Sequence, residues 1–118
     1  RRLDLSFNKI LFVKKYYFQH LIDLRELYLR HNQLSHLELE AFDSNLALVR
    51  LDLSENMLFR LDISRLFEYL SKISILKLNS NDQLRIFTIG NRKLTSNVFS
   101  NKTSSLRELY FFKINILS

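Results

Sequence analysis

The chain contains no cysteine, no proline and a single glycine, Gly90, in 118 residues. Without cysteine there is no thiolate chemistry and no internal disulfide, and cysteine usage alone leaves the redox compartment open. One glycine cannot build a phosphate-cradling loop or a nucleophile elbow. No run of about 18 uninterrupted apolar residues is present, so no transmembrane helix is expected within the segment. A signal peptide is also absent from the reading, because Arg1-Arg2 opens directly onto a strand pattern. At 47% hydrophobic and 25% charged residues the composition is that of a folded domain rather than a disordered chain.

What is present is a ladder of asparagines. Asn8, Asn32, Asn56 and Asn81 stand 24, 24 and 25 residues apart, and self-similarity at such a period predicts stacked repeats rather than one globular core. Leu24-Arg-Glu-Leu27-Tyr-Leu29-Arg-His-Asn32-Gln-Leu34 and Leu48-Val-Arg-Leu51-Asp-Leu53-Ser-Glu-Asn56-Met-Leu58 share the form L-x-x-L-x-L-x-x-N-x-L at every defined position. Leu3-Asp-Leu5-Ser-Phe-Asn8-Lys-Ile10 begins mid-unit, and Ile73-Ser-Ile-Leu76-Lys-Leu78-Asn-Ser-Asn81 keeps the form until its closing apolar residue slips to Leu84. A fifth copy, Leu106-Arg-Glu-Leu109-Tyr-Phe111-Phe-Lys-Ile114, puts isoleucine where the amide belongs, so the fifth unit is expected to end the ladder or be looser there.

Each element of the unit has a physical reason. In L-x-L the leucines alternate with polar residues, so one face of a short strand is buried and the other wet. A single unit cannot bury its own apolar face, and stacking neighbours does so. An asparagine offers two donors and an acceptor to backbone groups where the chain turns out of the strand, in its own coil and the next. The return segments also run in register, with Phe18 and Phe42 separated by one 24-residue period, and Leu58, Leu61 and Leu66 continue the series before Phe67, Leu70 and Ile73 absorb one extra residue in the third unit.

These residues resemble the leucine-rich repeat family, over nearly all of the chain. The 24-residue unit with Phe late in its return, as in Glu40-Ala-Phe42, is similar to the typical extracellular subfamily, which includes Toll-like receptors, Slit-like guidance proteins and small matrix proteoglycans. The resemblance implies an α/β solenoid, a right-handed coil with a curved parallel β-sheet on its concave face. One domain is expected over 1–118, with about five strands and no capping units. Between Leu76 and Leu109 the spacing exceeds the repeat, which predicts an inserted loop at about 83–105. Asn101-Lys-Thr103 within it is a glycosylation sequon. Apolar strands at both ends predict an interior stretch of a longer receptor, or a chain that associates with itself through the solenoid as a homodimer.

Catalytic and metal-binding patterns are not found. His20, His31 and His36 lack the spacing and the glutamate of a zinc helix, and Glu38 with Glu40 read as hydrophilic surface. No metal and no cofactor are expected, and the chain is read as not an enzyme.

Function is therefore sought on the open face of the sheet. The strand residues between and beside the leucines are Arg2, Asp4, Ser6; Glu26, Tyr28, Arg30; Arg50, Asp52, Ser54; Ile75, Lys77, Asn79; and Glu108, Tyr110, Phe112. Stacking predicts one central column of Asp4, Tyr28, Asp52, Lys77 and Tyr110. Arg2, Arg30, Arg50 and Lys77 balance Asp4, Glu26, Asp52 and Glu108, so the chain's net charge of +6 lies elsewhere, at Lys14-Lys15, Arg92-Lys93 and Lys102. No basic stripe is focused on this face, so nucleic acid is not expected as partner. Tyr28, Arg30, Arg50, Tyr110 and Phe112 are of the types that dominate protein interfaces. The sequence thus predicts a protein-recognition module of a cell-surface or secreted receptor, with no membrane contact in this segment. The alternative is a cytoplasmic scaffold or regulatory subunit, and a third reading makes the segment a spacer.

Overall fold

The computed structural model describes residues 1–87 together with the backbone of two short strands at 108–110 and 115–116. Its main sheet is parallel and five-stranded. Strands β1 (Arg2–Asp4), β3 (Glu26–Tyr28), β5 (Arg50–Asp52), β7 (Ile75–Lys77) and β9 (Glu108–Tyr110) lie in that order, each one coil after the last. The register pairs Leu3, Leu27, Leu51, Leu76 and Leu109 across all five. One leucine of each L-x-L therefore stacks on its counterpart in the next coil, and Leu27, Leu51, Leu76 and the following Leu29, Leu53 and Leu78 are buried.

The return path carries two smaller parallel sheets. β2 (Phe12–Val13) pairs with β4 (His36–Leu37), while β6 (Arg60–Asp62), β8 (Arg85–Phe87) and β10 (Asn115–Ile116) form a second group. Between them the second coil makes a single 3-10 turn over Leu39–Phe42 and the third makes a true helix, α1 (Ile63–Tyr69). Asp62 caps α1, its carboxylate accepting from the Arg65 N–H at 3.2 Å. The helix is how the third coil takes up its extra residue, and it turns Ile63, Leu66 and Phe67 into the core. Phe18 and Phe42 stack with ring centroids 6.3 Å apart, so the return period seen in the sequence is a packed aromatic row.

Two expectations are refined. Leu84 is buried and Arg85–Phe87 pairs with β6, so the coil is still regular where the sequence reading begins its loop at 83. Ile114, the segment 88–107 and the sequon at Asn101 lie outside the described residues.

The asparagine ladder is polar in a way the sequence did not indicate. Each side chain serves its own coil and the preceding one, not the next. Asn56 donates from Nδ2 to the carbonyls of Leu53 and Ser54 in its own coil and of Leu29 in the coil before, while its Oδ1 accepts from the Leu34 N–H at 3.0 Å. Asn32 does the same toward Leu5 and Ile10, and Asn81 toward Leu53 and Leu58. Asn8 has no described coil before it, is exposed, and bonds within its own turn to Leu5 and Ser6.

The residue ahead of every rung is left-handed. Phe7, His31, Glu55 and Ser80 have φ between 55° and 58° although none is glycine. This conformation turns the N–H groups of Phe7, His31 and Glu55 onto the carbonyls of Arg30, Ser54 and Asn79 in the following coil. A left-handed L-residue costs about 1–2 kcal/mol, offset here by bonds that the neighbouring coils supply. Its side chain is thereby pushed to the rim of the open face.

Candidate functional site

The open face is organised in columns fixed by the strand register. Asp4, Tyr28, Asp52, Lys77 and Tyr110 fall in one row across the five strands, and Arg2, Glu26, Arg50, Ile75 and Glu108 in the row beside it. For Tyr110 and Glu108 the backbone position alone is described, and Phe112 lies outside the described residues.

One half of the face is a closed network. The Arg2 guanidinium lies 4.7 Å from the centre of the Tyr28 ring and 3.6 Å from Asp4. The Tyr28 hydroxyl donates to Glu26 at 2.7 Å, and Glu26 in turn sits 3.8 Å from the Arg50 guanidinium. Partial burial, with the hydrogen bond to Glu26 second, raises the Tyr28 hydroxyl above its ordinary value, so it stays a neutral donor. The Ser6 backbone N–H at 3.0 Å, then the Ser6 hydroxyl, holds Asp4 below the usual carboxylate range, with Arg2 adding to it.

A second network lies along the rim. Arg30 pairs with Glu55 across two coils, His31 Nδ1 stands 3.7 Å from the same carboxylate, and the His31 ring stacks on Phe7 at 4.9 Å. Arg30 also lies 5.7 Å from the Phe7 ring centre. Phe7 is 65% exposed, which makes it an uncovered aromatic at the edge of the sheet rather than a core residue. The sequence reading took the strand positions as the surface, which reached Arg30 but not Phe7, His31 or Glu55. Their signal would have been the position before each asparagine, which is Phe, His, Glu and Ser in turn and so stands apart from the repeating leucines and asparagines.

Between the two networks runs a trough. Two adjoining hollows of about 540 and 370 Å³ share Arg30, Asp52 and Lys77; the first adds Asp4, Ser6, Phe7 and Tyr28, the second Ser54, Glu55, Asn79 and Ser80. Of the residues read from the sequence as ligand-binding, Asp4, Tyr28, Arg30, Asp52 and Lys77 line it, and Glu26 and Arg50 stand in the network flanking it. Asp52 needs a correction. It is 6% exposed and turns inward, accepting from both the N–H and the hydroxyl of Ser54, so it shapes the floor and offers little to a ligand.

The return side carries a different hollow, about 300 Å³, in the gap between β4 and β6. Glu38 there accepts from the Lys15 N–H at 2.8 Å, Glu40 pairs with Arg65, and Asp62 caps the helix. The Glu38 and Glu40 carboxylates, expected as solvated surface, are structural links between coils. Asn45 is another residue that the sequence reading missed. It is buried and donates to the carbonyls of Phe18 and Leu21 at 3.1 Å each, a second amide rung at the opposite corner from the main ladder. Among the described residues no group of His, Cys, Asp and Glu is placed to hold a metal, and no helix is long and apolar enough to cross a membrane.

Parallel strands at each repeat, a stacked leucine core and an amide ladder define a leucine-rich repeat solenoid, and a family model described as leucine rich repeat matches residues 1–58. The chain is a leucine-rich repeat structure, similar in sequence and fold to TLR13, solved in a complex with ssRNA13. The two are 31% identical with a TM-score of 0.67, over 96% of this chain and 19% of that one, so the chain spans under a fifth of that protein's length. No curated protein matches at a significant level.

Proposed function

We propose that the chain is a non-catalytic recognition module of a receptor ectodomain, facing the extracellular or endosomal side, and that it binds a protein ligand on the open face of its main sheet. The observation that carries this reading is the trough itself, with Tyr28, Phe7 and Arg30 at its walls. A half-buried and an exposed aromatic with arginine beside a preformed hollow are the components of interface hot spots. The likeness to TLR13 supports the receptor setting. A cytoplasmic scaffold built on the same coil is the alternative. The homodimer, the contact roles of Tyr110 and Phe112 and the glycan at Asn101 remain part of the proposal.

The test is the double variant Arg30→Glu with Arg50→Glu. Each reversal sets a second carboxylate against an existing one, Glu55 or Glu26, so ligand binding is lost while the leucine core and the circular dichroism spectrum are retained. Normal binding of the cognate ligand by the folded double variant places the interface elsewhere.

A second reading is single-stranded RNA, favoured by the exposed Phe7–His31 stack beside Arg30 and by the ligand named for the similar structure. Aromatic faces beside a cation are what an unpaired base needs. Against it stands the balanced charge of the face. Oligouridylate binding that falls steeply with salt, and is lost in Phe7→Ala, would favour RNA over protein.

A further inference from the structure

The trough has a sign at each end. Its first strand contributes Asp4, exposed and held in its ionised form by Ser6 and Arg2. Its far side contributes the cations of Arg30 and Lys77, with the Glu55 carboxylate lining the same hollow against Arg30 and the inward-turned Asp52 between. Tyr28 stands next to Asp4 in the same row, so the acidic end also presents an aromatic face.

The protein's own residues show what each end accepts. Arg2 lays a guanidinium over the Tyr28 ring and beside Asp4, and Glu55 lays a carboxylate against Arg30. Both contacts are solvent-exposed, with side-chain exposures of 60% and 50% in the first pair and 50% and 36% in the second. Such pairs are weakly held and exchange readily for another ion of the same sign. A cation on an aromatic face beside a carboxylate, and an anion on a guanidinium, are therefore the groups that these seats take.

We infer that the trough is a bipolar peptide-docking site, which takes a basic side chain at Asp4 and Tyr28 and an acidic side chain between Arg30 and Lys77 of one ligand segment. This rests on the protein-recognition reading above and goes on to name the ligand's chemistry. Its spacing follows from the register. Asp4 and Lys77 are three strand steps apart in one row, about 14 Å at roughly 4.8 Å per step. An extended ligand advances about 3.3 Å per residue, so its basic and acidic residues stand about four positions apart. A ligand of one sign would meet repulsion at one end, which is how the face excludes uniformly basic or acidic partners.

The test measures binding of short labelled Gly/Ser peptides to the intact protein by NMR titration, following the Tyr28 and Lys77 signals. One peptide carries Lys and Glu about four positions apart, a second carries them adjacent, a third has two lysines, a fourth two glutamates; oligouridylate is the fifth probe. The spaced Lys/Glu peptide binds in the trough, and each other peptide is about threefold to fivefold weaker, the scale of one exposed ion pair. Asp4→Asn and Lys77→Met each erase the preference for one end. Arg2→Ala, which vacates the cationic seat, tightens binding of the spaced peptide, a change of sign that mere loss of a structural contact would not give. Equal binding of all four peptides at the same signals overturns the bipolar site and leaves protein recognition standing. Binding of oligouridylate with none of the peptides overturns both, and absence of any binding overturns the bipolar site.

Discussion

Replacing Asn56 by alanine should cost far more than replacing Asn8, and the reason can be traced bond by bond. The carbonyls that Asn56 touches are each served twice. Leu29 also accepts from Asn32, Leu53 from Asn81, and Ser54 from the His31 N–H. The Leu34 N–H is different, since its described partner is the Asn56 Oδ1 and the contact is buried. Asn56→Ala therefore leaves one buried donor unpaired, about 1–3 kcal/mol, and removes three shared bonds whose acceptors keep a partner, for about 2–4 kcal/mol together. Asn8→Ala removes two exposed bonds within one turn and orphans no buried group, so about 0.5 kcal/mol or less is expected. Urea denaturation of the two variants gives the difference, and hydrogen exchange gives its location, with the Leu34 amide losing protection. Asn56→Asp adds a control. It keeps the acceptor for Leu34 but sets a carboxylate against three carbonyls, so its folded-state pKa is raised. A raised carboxyl pKa favours the protonated folded state, and the variant loses stability as pH rises from about 4 through that raised value. Equal costs for Asn8→Ala and Asn56→Ala, or a Leu34 amide that stays protected, would refute the assignment.

Two further outcomes test other parts of the structure. Ser80→Gly should stabilise by about 0.5–1 kcal/mol in urea titration, because Ser80 holds φ at 58° and glycine adopts that conformation without the Cβ penalty, whereas Ser80→Val should destabilise. Glu55, hydrogen-bonded first of all by Arg30, should titrate by NMR below its ordinary 4.5; a depressed carboxyl pKa stabilises above that value and the contribution is lost as pH falls through the lowered one, while added salt or Arg30→Met returns the midpoint upward.

The sequence carried the sheet and most of the trough because both depend on a strict period. Once Leu27, Leu51 and Leu76 are equivalent, Tyr28, Asp52 and Lys77 must be neighbours, and no coordinates are needed to say so. What escaped was whatever does not repeat. Asn45 corresponds to Leu21 one period earlier and to an apolar stretch, Tyr69-Leu70, one period later, so nothing in the pattern singles it out. Asp52 has the same L-D-L-S setting as Asp4, yet one is buried on Ser54 and the other stands exposed, since only Asp52 has described coils stacked on both sides. Of the rim cluster Arg30 was legible as a strand position, while its partners Phe7, His31 and Glu55 were hidden because left-handed corners are usually sought at glycine, and this chain has none there.

The direction in which the asparagines point has a consequence for how such a chain is made. Each coil's inward N–H, half-buried at Ile10 and buried at Leu34 and Leu58, is closed by an amide about 22 residues later in the chain. A coil emerging from the ribosome is thus unfinished until its successor has followed it out. Assembly proceeds by retroactive completion, the growing end carrying this amide open along with strand N–H groups, such as those of Leu29 and His31, that the next coil accepts. Truncation strands donors at either end: shortening from the later end orphans the Leu34 or Leu58 amide, and shortening from the earlier end orphans the Arg25 and Glu26 N–H groups, which bond to the Arg1 carbonyl.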